Sequence, residues 1–405
     1  MPAGAPPADP KRIVSGVWLA VLAITLLSCG LCSGIFYLVT PLMSRTASPD
    51  LGANTIYGSA ALLGMLFGVV MVWQTIHFVR GNAGRTAASV FPSPLLFLVV
   101  YGIAIVLGAG TLEFKIAALY LFPPWHFIAA SFVPLMFIAY AARRLGKTSG
   151  FRALFTAFSW GALAATPLAL IFELIFGAVF LLIAAVGLMI SPDSRALIEQ
   201  IQTTLLRARG TLDPNLALQL LTNPMITGII LAYVALVVPL VEEAFKALGI
   251  AFIDPRRTAL RDVVLWGVSA GAGFAIVENI FNASGSLNDW VITMLLRAGA
   301  TTVHVANGIL MGRGWYAARV ERRWGQLGIA YVIAVILHSL WNAAAIVMSG
   351  GTVFLTEGTN VPTSTLPLAV LVGALALMLV VLTILGLAWI VYAVNSARAS
   401  ASEKI

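Results

Sequence analysis

The hydrophobic pattern of this chain is one of long apolar runs broken by short polar stretches. The runs fall at about 13–40, 55–79, 91–112, 116–142, 151–190, 225–252, 262–281, 289–312, 327–348 and 365–395. Each reaches or exceeds the roughly 20 residues a helix needs to cross a bilayer. None alternates with the period of two that a half-buried strand requires. The pattern predicts an all-α, polytopic transmembrane bundle of about ten spans. The run 151–190 is nearly twice a normal span, with Pro167, Glu173 and Gly177 inside it. It reads either as one long tilted helix or as a span plus a re-entrant piece.

Composition agrees. Of the 405 residues, 60% are hydrophobic and 10% charged, against about 25% charged in a soluble domain. The surplus apolar surface has to face lipid. The formal charge of +8 is explained by sidedness. With the N-terminus inside, seventeen of the 24 Lys and Arg fall in inner segments and five in outer ones. This asymmetry predicts cytoplasmic N- and C-termini and a multi-pass cell-membrane protein. Counting 151–190 as two crossings would move Arg256, Arg257 and Arg261 outside and destroy the bias. No basic segment is interleaved with aromatics, so nucleic acid is not an expected partner. The expected organisation is a disordered tail (1–12), an N-terminal membrane extension (13–190) and an extracytoplasmic amphipathic segment (191–224). A core (225–348) and a final loop, span and tail (349–405) follow.

Cys29 and Cys32 form a CxxC inside the first apolar run. No charge lies nearby to activate a thiolate, so two inert thiols are expected. The chemistry lies further on. Ionisable side chains inside a span are costly and mark function, and four consecutive spans carry them: Glu242, Glu243 and Lys246, then Glu278 and Asn279, then Arg297 and His304, then His338 and Asn342. Counted at about 1.5 Å per residue from each span's inner edge, the acids and imidazoles share a depth near mid-membrane. Gly267, Gly271 and Gly273 would let a neighbouring helix approach closely. An isolated Glu173 or His77, alone on its span, reads instead as structural.

Two carboxylates with two imidazoles can deprotonate a water and protonate a leaving amine. Glu243, Glu278, His304 and His338 can equally hold a metal such as Zn²⁺. The same groups can relay protons, so an ion- or proton-coupled transporter is the alternative to a hydrolase. No Asp lies within a span interior, which excludes an aspartyl dyad, and the zinc-helix pattern His-Glu-x-x-His is absent. Gly267-Val-Ser269-Ala-Gly271 matches GxSxG, but that motif needs a strand–turn–helix elbow.

Over about 225–348 the chain resembles the PrsW family of intramembrane proteases, distantly like the type II CAAX prenyl proteases. The resemblance is carried by Glu242-Glu243-Ala-Phe-Lys246, then Gly273-Phe-Ala-Ile-Val-Glu278-Asn279, then Arg297 with His304 and Gly308, then His338-Ser-Leu-Trp-Asn342. It implies cleavage of membrane-protein or peptide substrates in the bilayer. Glu242 and Glu243 would be the essential acids and His304 and His338 the essential imidazoles. His338 and Asn342 would be the oxyanion donors, and Lys246, Asn279 and Arg297 supporting groups. The i,i+4 spacing favours Glu242 as the partner of Lys246 and leaves Glu243 as base. Analogy with the prenyl proteases favours Glu242. The choice between them, and whether a metal is used, stays open on the sequence.

Overall fold

A computed structural model describes residues 10–43, 50–80, 90–146, 150–190, 224–246, 248–251, 258–357 and 366–402. Every element among them is helical. The helices are α1 (Pro10–Met43), α2 (Leu51–Val79), α3 (Pro94–Leu112), α4 (Lys115–Leu145), α5 (Phe151–Ser159), α6 (Thr166–Ile190), α7 (Pro224–Ala232), α8 (Val238–Lys246), α9 (Leu248–Ala251), α10 (Leu260–Ser284), α11 (Trp290–Arg319), α12 (Trp324–Glu357) and α13 (Leu366–Ser402). π-helical turns at Trp160–Ala165 and Tyr233–Val237 join α5 to α6 and α7 to α8. The expected amphipathic segment 191–224 lies outside the described residues, apart from the first residue of α7.

Nine spans among the described residues are long and apolar enough to cross a membrane. The 30-residue α11 is not one of them. It is long enough, but Arg297, His304 and Asn307 lower its apolarity. Residues 151–190 form one continuous helical run through a π-helical turn, with no chain reversal between a span and a re-entrant piece.

Both π turns have the same local cause. Pro167 and Pro239 each follow such a turn after one intervening residue. A proline inside a helix lacks an N–H, and its ring clashes with the carbonyl four residues back. Those carbonyls belong to Leu163 and Ala235, inside the two widened turns. The carbonyls released nearby find other donors. Thr166 Oγ1 donates to the Gly161 carbonyl at 2.9 Å, and Asn342 Nδ2 donates to the Val234 carbonyl at 3.1 Å.

The bundle is built around α10, most of whose residues are buried, whereas α6 leaves most of its apolar side chains exposed at the edge of the bundle. α10 touches α11 where Gly267 and Gly271 meet the backbone of Gly308 and His304. On its other side Gly273 meets the backbone of Phe158 and Ala162. Backbones approach this closely only where no Cβ intervenes, and van der Waals packing of this kind holds helices together in lipid. The sequence expectation for Gly267, Gly271 and Gly273 is therefore met.

A polar clasp ties α4 to α10 and α11. Trp290 Nε1 donates to His126 Nδ1 at 2.9 Å, and His126 Nε2 lies 3.1 Å from the Ile280 carbonyl. The first contact makes Nδ1 the acceptor, so Nε2 carries the proton and donates to Ile280. Both side chains are fully buried. α1 packs mainly on α2, and its Cys29 and Cys32 are free and exposed on the outer face.

Candidate active site

The polar residues of α8, α10, α11 and α12 meet in one contact network. Lys246 is at its centre, fully buried. Its Nζ donates to Glu243 Oε1 at 2.6 Å and to His304 Nδ1 at 2.9 Å, stands 3.8 Å from Glu242 Oε2, and lies 4.4 Å above the Phe274 ring. His338 Nδ1 is 2.9 Å from Glu243 Oε1, and His338 Nε2 is 3.6 Å from Glu242 Oε2. Glu278 Oε2 lies 2.5 Å from His304 Nε2 and 2.8 Å from an Arg297 guanidinium nitrogen. Arg297 Nε donates to Asn279 Oδ1 at 2.8 Å, and Asn279 Nδ2 in turn donates to Thr301 and to the Ala130 carbonyl. The two imidazoles face each other edge to face, with centroids 4.9 Å apart.

These contacts fix the proton positions. Glu243, already holding the lysine, accepts the Nδ1 proton of His338, which leaves His338 Nε2 with its lone pair toward Glu242. His304 Nδ1 accepts from Lys246, so its Nε2 proton faces Glu278. Each imidazole is thus gripped from behind by a carboxylate, the arrangement that orients metal-binding histidines. Glu242, His304 and His338 each offer one ligand atom, and the three atoms all lie within 4.8 Å of one another. The metal set read from the sequence is Glu243, Glu278, His304 and His338. Glu243 contacts Lys246 and His338 Nδ1, and Glu278 contacts Arg297 and His304 Nε2.

The pairing of the two adjacent acids also runs against the helical-spacing argument. Lys246 sits nearer Glu243 than Glu242. Glu242 lines a cavity of about 630 Å³, as do Glu278, Arg297 and Asn342. The cavity lies between α6, α8, α10 and α12. It opens sideways past Leu170 and Phe281, which are 54% and 53% exposed. Arg313 of α11 lines a separate cavity of about 220 Å³ with Leu260 at the start of α10. The close Gly267–Gly308 and Gly271–His304 contacts separate that end of α10 from the acids. Ser269 is no nucleophile here, because its hydroxyl is buried and bonded to the Leu265 carbonyl of its own helix at 2.8 Å.

Residues 149–384 match the family model described as PrsW family intramembrane metalloprotease. That is more than half of the chain. The chain belongs to the PrsW family. It is a multi-pass membrane protein and an intramembrane endopeptidase. No curated protein and no solved structure matches it.

The PrsW match is wider than the 225–348 over which the sequence carries the resemblance. It takes in α5, α6 and part of α13. The fifth apolar run, placed before the core by the sequence pattern, thus falls within the matched residues. The structure gives the physical reason, since Thr166, Pro167, Leu170 and Glu173 supply one wall of the cavity. Glu173 is the residue that sequence reasoning passed over. Its only signal was a carboxylate inside a span, discounted because no second polar residue accompanied it on that helix.

Proposed function

We propose that this PrsW-family protein hydrolyses peptide bonds of membrane-spanning substrates at Glu242, His304 and His338, and that these three residues hold a divalent metal ion, with zinc the best match. The carrying observation is their convergence within 4.8 Å from three separate helices, with Glu242 facing the cavity. Two imidazoles and one carboxylate form a donor set typical of catalytic zinc, and one coordination position stays open. The ring orientations fit such a set. His338 presents an unprotonated Nε2, and His304 presents Nδ1 once Lys246 releases it. When bound, the ion would supply Lewis acidity to a water and to the scissile carbonyl.

The remaining roles belong to the chain's own groups. Glu242 is the acid of the pair that reaches the cavity; one of its oxygens would hold the ion, and the other is left to take the proton of the attacking water. Glu243 is fully buried and holds His338 in orientation through Nδ1–H. Arg297 neutralises Glu278, which in turn orients His304. Asn342 lines the cavity and has one amide proton spent on Val234, leaving a second for the carbonyl oxygen of the substrate. The apolar wall of Leu170, Val238, Phe274 and Trp341 suits a hydrophobic peptide and limits stray water.

One observation favours a second reading. The Lys246 ammonium lies against His304 Nδ1, a position that a metal ligand would have to vacate. In a metal-free glutamic mechanism, Glu242 alone would activate water and Lys246 would stay in place. Metal analysis of the purified protein separates the two. The metal reading expects close to one bound ion in the wild type, loss of it in His304→Ala and His338→Ala, and loss of peptide cleavage with a chelator. Cleavage that persists at the wild-type rate after metal is stripped to trace levels would overturn it in favour of the glutamic mechanism.

A further inference from the structure

Glu173 lines the same cavity as the network described above. Its Oε1 is buried and has no hydrogen-bond partner. The cavity's own cation, Arg297, is committed to Glu278 and Asn279, and Lys246 to Glu243 and His304. A carboxylate inside a membrane protein normally pairs with a cation or with hydrogen-bond donors. Glu173 is held where it can do so with something entering from the side. Its backbone carbonyl accepts a 2.6 Å hydrogen bond from the Tyr233 hydroxyl, and Gly177, one turn on, lies under the same tyrosine ring. Nearby side chains of α6, Leu170, Ile171 and Leu174, are exposed at the lipid-facing edge.

Glu173 and Glu242 line one cavity, so a substrate segment that reaches the hydrolytic acid also passes Glu173. An extended peptide rises only about 3.3 Å per residue, so the side chain that meets Glu173 belongs to a residue close to the cleaved bond.

We propose that Glu173 is a substrate-recognition residue that pairs with a lysine or arginine side chain close to the cleaved bond. This rests on the reading that peptide hydrolysis takes place at Glu242. The apolar walls accept the hydrophobic part of a membrane-spanning segment, and the lone carboxylate selects a basic residue placed at one fixed offset.

The test uses the full-length protein in liposomes and synthetic single-span peptides rich in leucine and alanine. Mass spectrometry locates the cleaved bond, and a lysine is then moved one position at a time on either side of it. The wild type should cleave the peptide with lysine at one preferred offset about tenfold faster, in kcat/KM, than the leucine peptide, the worth of one charge-assisted hydrogen bond. Glu173→Gln should erase this preference and still cleave the leucine peptide normally, and Glu173→Lys should shift it to glutamate at the same offset. A flat lysine scan on the wild type would overturn the proposal, as would an unchanged preference in Glu173→Gln. Equal loss on all peptides by a folded Glu173→Gln would also overturn it and place Glu173 in the hydrolytic machinery. The wild-type scan decides the matter even if a variant fails to fold. If the wild type cleaves no peptide, the hydrolytic reading fails by itself. Fluorescence anisotropy of the same labelled peptides binding to Glu242→Gln then tests the lysine preference separately.

Discussion

Gly271→Ala is a small perturbation that changes no charge, and it should disable the site. A methyl group at Gly271 would lie 2.9 Å from the His304 carbonyl carbon and 3.0 Å from the Val305 Cα. Carbon pairs pack at about 3.5–4.0 Å, so α10 and α11 must separate by roughly 0.5–1 Å. The displaced backbone is that of His304 itself. A misplacement of about 1 Å in a catalytic group costs on the order of 100-fold in rate. Overpacking of this kind also costs about 1–3 kcal/mol in stability. Gly102→Ala is the control, because nothing lies within 4 Å of its added methyl. In a helix interior that change favours the fold by up to about 1 kcal/mol. The assay is kcat/KM on a membrane peptide in liposomes, beside thermal unfolding in detergent. Gly271→Ala should lower both the rate and the melting temperature, whereas Gly102→Ala should lower neither. A Gly271→Ala protein with wild-type rate and stability would refute the argument that the close helix crossing positions His304.

The two adjacent acids should separate in the same assay. Glu242→Gln should lose several orders of magnitude, and Glu243→Gln about 10- to 100-fold, as expected for a group that orients a ligand. The reverse ranking would sink the assignment. His126→Ala should destabilise the protein by about 2–4 kcal/mol, because the buried Trp290 N–H and Ile280 carbonyl each lose a partner. Wild-type thermal unfolding would contradict that. Reporter fusions near residues 210 and 355 should score extracytoplasmic, and cytoplasmic signals there would overturn the sidedness drawn from the Lys and Arg distribution.

The parts of this protein written in single residues of unusual cost were legible in the sequence. An ionisable group in a span is expensive enough to be kept only for a purpose, so Glu242, Glu243, Glu278, His304 and His338 announced themselves. So did the glycines that bring α10 and α11 together. Features set by side-chain reach were not legible. Helical spacing assigned Lys246 to Glu242, but its flexible stem bends to Glu243, where a second donor, His338, converges on the same oxygen. Glu173 was hidden because its companions lie on other helices. His126 was hidden because its partners, Trp290 and Ile280, lie more than 150 positions away. The π turns had a readable cause in Pro167 and Pro239, yet a proline in a span fits a kink or a break equally well.

The turn at Tyr233–Val237 works as a phase shifter. Holding one residue more than an α-turn, it rotates whatever precedes it by about 100° relative to whatever follows. If the turn closed to ordinary α-geometry, by deleting one residue after Tyr233 or replacing Pro239, one side would have to swing. Packing decides which. α8 is pinned by the buried Glu243 and Lys246, whereas Leu236 and Ile230 on the other side face outward. The acids would keep their aim and the Tyr233 hydroxyl would swing off α6, freeing the Glu173 carbonyl. The aim of the acids and the contact with α6 are thus set separately along one helix.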